Sequence, residues 1–206
     1  MAPPTWFLGF DSLMEFIAFI IAMAVGFQAR KSYTLTKERT LLYLNSSFIL
    51  IGTGLLVEGL ADLIVLLSRF HRGFVFLSSV GYTIDFFAQV LAYGILVFAY
   101  LQQTRTWSSQ LTAAAIPILF FEHNAFSELI LIFLLAYIAA QTAINYSVAK
   151  TTNSLLVFSA FTLLTIAHVF FLFYTIEPIF FAFAHIAQLL GFLLLLQMLF
   201  KVNKAQ

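Results

Sequence analysis

The chain has 206 residues, of which 62% are hydrophobic and only 9% are charged, and it contains no Cys. A soluble domain carries about 25% charged residues, so this composition excludes cytosolic enzymes and disulfide scaffolds. The 10 Lys and Arg residues against 9 Asp and Glu residues leave no basic surface for DNA or RNA. We therefore expect an integral membrane protein whose surroundings are the lipid bilayer, with no nucleic acid as a partner.

Seven stretches are apolar enough to cross a bilayer as helices of about 20 residues. In chain order they are residues 6–29, 40–69, 74–102, 108–122, 124–148, 153–176 and 178–201. The fourth stretch is short, since at about 1.5 Å per residue it covers only about two-thirds of a hydrocarbon core roughly 30 Å thick. The predicted fold is all-α and integral to the membrane, a seven-transmembrane-helix bundle that forms a single domain over residues 1–206.

The Lys and Arg residues predict how the bundle is oriented, because loops on the inner side of a membrane are enriched in them. With seven spans and the N-terminus outside, only Arg69 and Arg72 lie in outer loops. The other eight are then on the inner side: Arg30, Lys31, Lys37, Arg39, Arg105, Lys150, Lys201 and Lys204. Without the fourth span the two sides would hold five each. The charges predict an N-out/C-in topology. We expect a multi-pass protein of a prokaryotic plasma membrane.

Two sequence similarities indicate an internal repeat. Asp85-Phe-Phe-Ala-Gln-Val-Leu-Ala-Tyr in the third span is similar to Ala184-His-Ile-Ala-Gln-Leu-Leu-Gly-Phe in the last. Tyr33-Thr-Leu-Thr-Lys, before the second span, is similar to Tyr146-Ser-Val-Ala-Lys, before the sixth. The first three helices would then match the last three in the same orientation, joined by the fourth. This 3+1+3 parallel repeat is the kind of arrangement found in SWEET transporters.

Small residues indicate where helices approach each other closely, since membrane helices associate through close van der Waals contact. The second and third spans contain several: Gly52, Gly54, Gly59, Gly81, Ala88, Ala92 and Gly94. We expect these residues to pack the second helix against the third.

Six ionisable side chains interrupt the spans, although each costs roughly 2.5–3.5 kcal/mol in a membrane on insertion scales. They are Glu15, Glu58, Asp62, Asp85, His168 and His185. Counted from the outer rim, all six lie about 12–18 Å deep. The inner half of each span contains none until its end. A shared cavity in the outer half would explain this layer, because there each charge can be solvated, paired or metal-bound.

The residue types in this layer predict a carboxylate and histidine site, since imidazole and carboxylate groups bind Zn or Mn. The expected metal ligands are His168, His185, Glu58, Asp62 and Asp85. The residues expected to bind a ligand are Glu15, Glu58, Asp62, Asp85, Gln89 and Gln188. We expect Asp11 to be solvated near the outer interface, and Glu128 to line a mouth of the site.

The same residues restrict the cofactors. Haem between His168 and His185 fits less well than a divalent metal ion, because neighbouring antiparallel helices leave little room for a porphyrin. Retinal is excluded, because the last span offers only Lys201, at its inner end, for a Schiff base.

Three classes of function remain open. The favoured one binds a metal ion, a proton or a small polar ligand in the outer half, for sensing or for transport. A second is an intramembrane metal-dependent hydrolase of a lipid-like substrate. Seven-helix zinc lipid hydrolases carry a His-x-x-x-His pair in the last helix, whereas here Leu189 follows His185 at that spacing. A third is an accessory subunit of a larger membrane complex. No catalytic residue is identified.

One stretch of the last span resembles a known family. His185-Ile-Ala-Gln-Leu-Leu-Gly-Phe-Leu-Leu-Leu-Leu is similar to the last helix of prokaryotic multi-helix membrane-integral sensor domains. Those domains feed a kinase or cyclase. The resemblance therefore implies a related bundle that works with a separate output protein.

Overall fold

The computed structural model describes residues 5–68, 71–103, 125–174 and 176–204, with side chains described for 9–68, 76–102, 126–174 and 176–204. These residues form six α-helices and no strand: α1 (Thr5–Thr36), α2 (Arg39–Leu67), α3 (His71–Gln103), α4 (Ala125–Ala149), α5 (Thr152–Phe173) and α6 (Ile179–Lys204). All six are long and apolar enough to span a membrane. The all-helical, multi-pass prediction is confirmed for these six segments. The predicted fourth span, 108–122, lies outside the described residues.

The connections after α1 and α4 have the same geometry. The chain takes a left-handed conformation at Lys37, with φ of 61°, and at Lys150, with φ of 48°. The N–H of Lys37 donates to the carbonyl of Tyr33 at 2.9 Å, and that of Lys150 to the carbonyl of Tyr146 at 2.8 Å. A left-handed residue after the last turn ends a helix while satisfying one of its free carbonyls. The two similar Tyr-to-Lys segments therefore form two equivalent corners.

The helices form a closed ring in chain order, because each packs against the next and α6 packs against α1. At one end, Nε2 of His185 lies 3.1 Å from Oδ1 of Asp11. At the other end, the Ser32 hydroxyl donates to Oδ1 of Asn203 at 2.8 Å. Helices α1 and α6 are therefore parallel. We call the first end the histidine end, and the opposite end, which holds both corner lysines, the lysine end.

The helix directions follow from these contacts. The connections within α1–α3 and within α4–α6 are short, so consecutive helices in each triplet are antiparallel. Because α1 and α6 are parallel, α1, α3, α4 and α6 all run from the histidine end to the lysine end. The Tyr82–Ser127 hydrogen bond joins α3 and α4 near their starts. Gln103, at the end of α3, and Ala125, at the start of α4, therefore lie at opposite ends of the bundle.

Some of the buried positions recur at the same spacing in the two triplets. On α1 and α4 they are Glu15, Ala18, Ala22, Val25 and Ala29, and Glu128, Leu131, Leu135, Ile138 and Thr142. On α2 and α5 they are Ser47, Phe48, Ile51, Gly54 and Leu55, and Ala160, Phe161, Leu164, Ala167 and His168. On α3 and α6 they are Asp85, Gln89, Ala92, Tyr93, Leu96 and Ala99, and Ala184, Gln188, Gly191, Phe192, Leu195 and Met198. The two triplets thus bury corresponding faces.

The glycines of α2 do not all face α3, so the expected packing is only partly right. A Cβ at Gly54 would lie 2.9 Å from the Cβ of Ala88 on α3. A Cβ at Gly52 would instead meet Met23 on α1 at 3.0 Å, and one at Gly59 would meet Glu15 at 3.2 Å. Helix α2 therefore uses glycines on both sides, because it is packed between α1 and α3.

Candidate functional site

A cavity of about 70 Å³ opens between the helices in the half of the bundle nearer the histidine end. A buried water needs only about 10–15 Å³, so the cavity has room for several waters or for a partly hydrated cation. Among the described residues its polar lining is Asp11, Glu15, Glu58, Tyr82, Asp85, Gln89, Glu128, His168, His185 and Gln188. All five described helices that carry a predicted site residue thus contribute to one cavity, and α4 adds Glu128.

Of the eight predicted site residues, seven line this cavity and one lies beside it. Asp62 is the residue outside the lining, and it is buried, with 5% of its surface exposed. The hydroxyl of Ser78 donates to its Oδ1 at 2.7 Å. Both residues lie near the histidine end, because Ser78 is close to the start of α3 and Asp62 close to the end of α2.

His185 is held by a carboxylate from the first helix. Its Nε2 lies 3.1 Å from Oδ1 of Asp11, whose side chain is only 14% exposed. The other ring nitrogen, Nδ1, is buried with no hydrogen-bond partner. The expectation that Asp11 is solvated is wrong, because the packing of α6 against α1 covers it with His185. Its spacing of four residues from Glu15 was the sequence signal that places both on one helix face.

His168 is held in the same way by the fourth helix. Its Nδ1 lies 2.9 Å from Oε2 of Glu128, and both side chains are more than nine-tenths buried. The ring Nε2 of His168 is buried without a hydrogen-bond partner. A histidine whose one nitrogen is held by a carboxylate, with the other free, is the arrangement that proteins use to orient metal ligands. Glu128 is therefore a central residue of the cavity.

Asp85 packs against Gly54 of α2 and accepts a hydrogen bond from Gln89 of its own helix. The side-chain amide of Gln89 donates to Oδ2 of Asp85, while Oδ1 is buried without a partner. A Cβ at Gly54 would lie 2.5 Å from that Oδ1 and 3.0 Å from the Asp85 Cα. Only glycine at position 54 leaves room for the carboxylate at this depth.

The possible metal ligands come together differently from the predicted set. Among the described residues, the one group of three or more His, Asp or Glu whose ligand atoms lie within 4.8 Å of one another is Asp11, Glu15 and Asp62. Of the predicted metal ligands, only Asp62 belongs to it; His168, His185, Glu58 and Asp85 do not. The two imidazoles are kept apart by Phe171, whose ring centroid lies 5.8 Å from that of His168 and 5.1 Å from that of His185.

The cavity carries more acidic than basic groups. Six carboxylates lie in or beside it: Asp11, Glu15, Glu58, Asp62, Asp85 and Glu128. Among the described residues at the site, only His168 and His185 can become positively charged. Taking an ion out of water costs several kcal/mol unless it is paired, so two imidazoles cannot compensate six ionised carboxylates. The arrangement calls for bound cations or protons.

The half of the bundle nearer the lysine end is packed with side chains. Tyr93, Phe48 and Phe192 are fully buried there, and the last two meet edge-on with ring centroids 5.3 Å apart. Near that end, Asn203 donates to Oε1 of Gln28 at 2.8 Å and accepts from Ser32. The cavity is thus separated from the lysine end by a packed layer.

Comparison with known proteins adds no family to this geometry. No protein-family model, no curated protein and no solved structure matches the chain.

Proposed function

We propose that this protein binds a cation, either a divalent metal ion such as Zn or Mn or one or more protons, in the cavity of its outer half, and that it transports this cation across the membrane. The observation that carries the proposal is the buried excess of carboxylates over histidines. Ionisable groups inside a membrane are expensive, and they mark ion pathways and proton relays in transport proteins.

The relation between the two triplets supports transport. The cavity lies where α1–α3 meet α4–α6, and it takes Glu15 and Gln89 from one triplet and Glu128 and Gln188 from the other. Many transporters are built from repeats and bind their substrate at the repeat interface, so that rocking of one unit against the other exposes the site to each side in turn. The buried faces that recur in the two triplets fit such a construction.

The proposed orientation has seven crossings, with the N-terminus outside and the C-terminus inside. Its support is that Gln103 and Ala125 lie at opposite ends of the bundle, as a seven-span arrangement requires. Most of the described basic residues lie at the lysine end: Arg30, Lys31, Lys37, Arg39, Lys150, Lys201 and Lys204. By the positive-inside rule this end faces the cytoplasm, and the cavity then opens toward the outside.

Sensing is the second candidate, and the packed layer beneath the cavity favours it. A protein that only reports occupancy needs no route past Tyr93, Phe48 and Phe192. The resemblance of the last helix to membrane-integral sensor domains is consistent with this candidate, which would require a separate output protein.

Flux and binding measurements on one preparation separate these candidates. The purified protein is reconstituted into phosphatidylcholine and phosphatidylglycerol liposomes that enclose a Mn²⁺-quenched dye and, in a parallel sample, a pH dye. Transport predicts faster quenching or acidification than in protein-free liposomes, and slower flux for Asp85→Asn. Glu177→Gln is the matched control, because Glu177 is an exposed carboxylate in the connection before α6.

The binding arm is calorimetric titration of Mn²⁺ and Zn²⁺ into the same protein in detergent. Binding without flux would replace transport with sensing. Neither binding nor flux of metal ions or protons would refute the proposal and leave the accessory-subunit interpretation.

A further inference from the structure

We infer that Asp11, Glu15 and Asp62 form an all-oxygen site for one hard divalent cation, of the class of Mn²⁺, Ca²⁺ or Mg²⁺, with Glu15 as its central ligand. This inference rests on the proposed cation-binding function and deepens it. It names the class of cation, and it places the ion between α1 and α2 instead of at the histidines.

The geometry suits a single ion. One oxygen from each of the three carboxylates lies within 4.8 Å of the other two. Oxygen ligands lie about 2.1–2.6 Å from Mn²⁺, Ca²⁺ or Mg²⁺, so two ligands of one ion are at most about 5 Å apart. Carboxylates without nitrogen or sulfur ligands favour these hard cations over Zn²⁺.

Glu15 carries the independent sign of a ligand. It is only 3% exposed, and its Oε2 has no hydrogen-bond partner. The carboxylate lies against Gly59, where a Cβ would come within 3.2 Å of Oε2. A buried acceptor left without a partner destabilises the fold, and more so when it is charged. A cation bound at Oε2 would remove this destabilisation.

Comparison of the two triplets explains why Glu15 lacks a partner. Glu15 on α1 corresponds to Glu128 on α4, because each precedes its corner lysine by the same number of residues. In the second triplet Glu128 is held by His168 at 2.9 Å. The position corresponding to His168 on α2 is Leu55, which lines the cavity but can neither donate a proton nor carry a charge. A bound cation would give the Glu15 carboxylate a partner, as His168 does for the Glu128 carboxylate.

The other two ligands are fixed by neighbours that are not acidic. Nε2 of His185 lies 3.1 Å from Oδ1 of Asp11, and the Ser78 hydroxyl donates to Oδ1 of Asp62 at 2.7 Å. These contacts bring α6 and α3 to the site, so one ion on α1 and α2 would be positioned by four helices. Ligands held in this way lose less freedom when the ion binds.

The test is titration of Mn²⁺ into the purified full chain, followed by calorimetry and by the electron paramagnetic resonance signal of free Mn²⁺. Glu15→Gln is expected to weaken Mn²⁺ binding at least tenfold. Its matched control is Glu177→Gln, which alters an exposed carboxylate in the connection before α6 and is expected to change binding less than threefold. Asp62→Asn is measured by the same titration and is also expected to weaken Mn²⁺ binding at least tenfold. It replaces Glu15→Gln in the test if that variant does not fold.

A third variant tests the comparison of the triplets. Leu55→His gives Glu15 the internal partner that Glu128 has, and it is expected to weaken Mn²⁺ binding about tenfold without lowering the melting temperature. Unchanged Mn²⁺ binding in Glu15→Gln and Asp62→Asn would overturn the inference. So would a wild type that binds Zn²⁺ but not Mn²⁺ and loses it in His168→Ala, although the cation-binding function would then stand. Absence of any metal binding or proton flux would refute both.

Discussion

The Nδ1 atom of His168 and the Oε2 atom of Glu128 lie 2.9 Å apart and join α5 to α4 inside the cavity. Both side chains are buried, so neither can exchange its partner for bulk water. Removal of one member of such a pair leaves the other charge or hydrogen-bonding group uncompensated. The contact therefore stabilises the bundle. It occupies Nδ1 of His168 and leaves Nε2 without a hydrogen-bond partner.

The first prediction concerns this pair. His168→Leu is expected to lower the free energy of unfolding by about 1–3 kcal/mol, because it leaves a buried carboxylate without its partner. The double variant His168→Leu with Glu128→Leu is expected to recover part of that loss, since both polar groups are then removed. Unfolding in mixed micelles measures both values. A double variant that loses as much as the sum of the two single variants would show that the contact carries no coupling.

The second prediction uses two glycines of the central helices. Gly54→Ala would place a Cβ 2.9 Å from Ala88 and 3.0 Å from the Asp85 Cα, so α2 and α3 must separate. We expect a loss of about 1–3 kcal/mol, which is typical of overpacking. Gly94→Ala is the control, because a Cβ there meets nothing within 4 Å among the described atoms. Equal melting temperatures for the two variants would contradict the close approach of α2 and α3 at Asp85.

The third prediction tests orientation. The chain has no Cys, so single cysteines can be introduced and labelled from one side of the membrane at a time. The variants Lys37→Cys and Lys150→Cys are each expected to react only from the inside, because both lysines mark the same end of the bundle. Glu177→Cys, at the opposite end, is expected to react only from the outside. Labelling of Lys37→Cys and Lys150→Cys from opposite sides would disprove the parallel arrangement of the two triplets.

The fourth prediction is that metal binding releases protons. Carboxylates and imidazoles bind metals in their deprotonated forms, so bound protons and metal ions compete for the cavity. Calorimetry of Mn²⁺ binding in two buffers with different ionisation enthalpies measures the release, which we expect to be about one proton per ion or more. Affinity is expected to fall as the pH is lowered. Equal heats in both buffers would mean that the ligands are already ionised and that no exchange with protons occurs.

The sequence by itself determined the membrane character and the depth of the polar layer. A helix needs about 20 apolar residues to cross a bilayer, so apolar spans can be recognised along the chain. The depth of Glu15, Asp85 and His185 within their spans then follows from counting residues. The sequence also shows that Tyr33–Lys37 is similar to Tyr146–Lys150. Each corner is formed by residues that are consecutive in the chain, so comparison of two short segments is enough to detect the similarity.

Only the tertiary structure decided which polar groups meet. Helix spacing places Asp11 and Glu15 on one face of α1. The contact of Asp11 with His185 depends on how α1 is rotated about its axis and on its packing against α6. The ring of Phe171 between His168 and His185, and the gathering of Asp62 with the α1 carboxylates, depend on contacts between residues far apart in sequence. Such contacts follow from how helix faces pack against each other, and the helical period of a single segment does not contain that information.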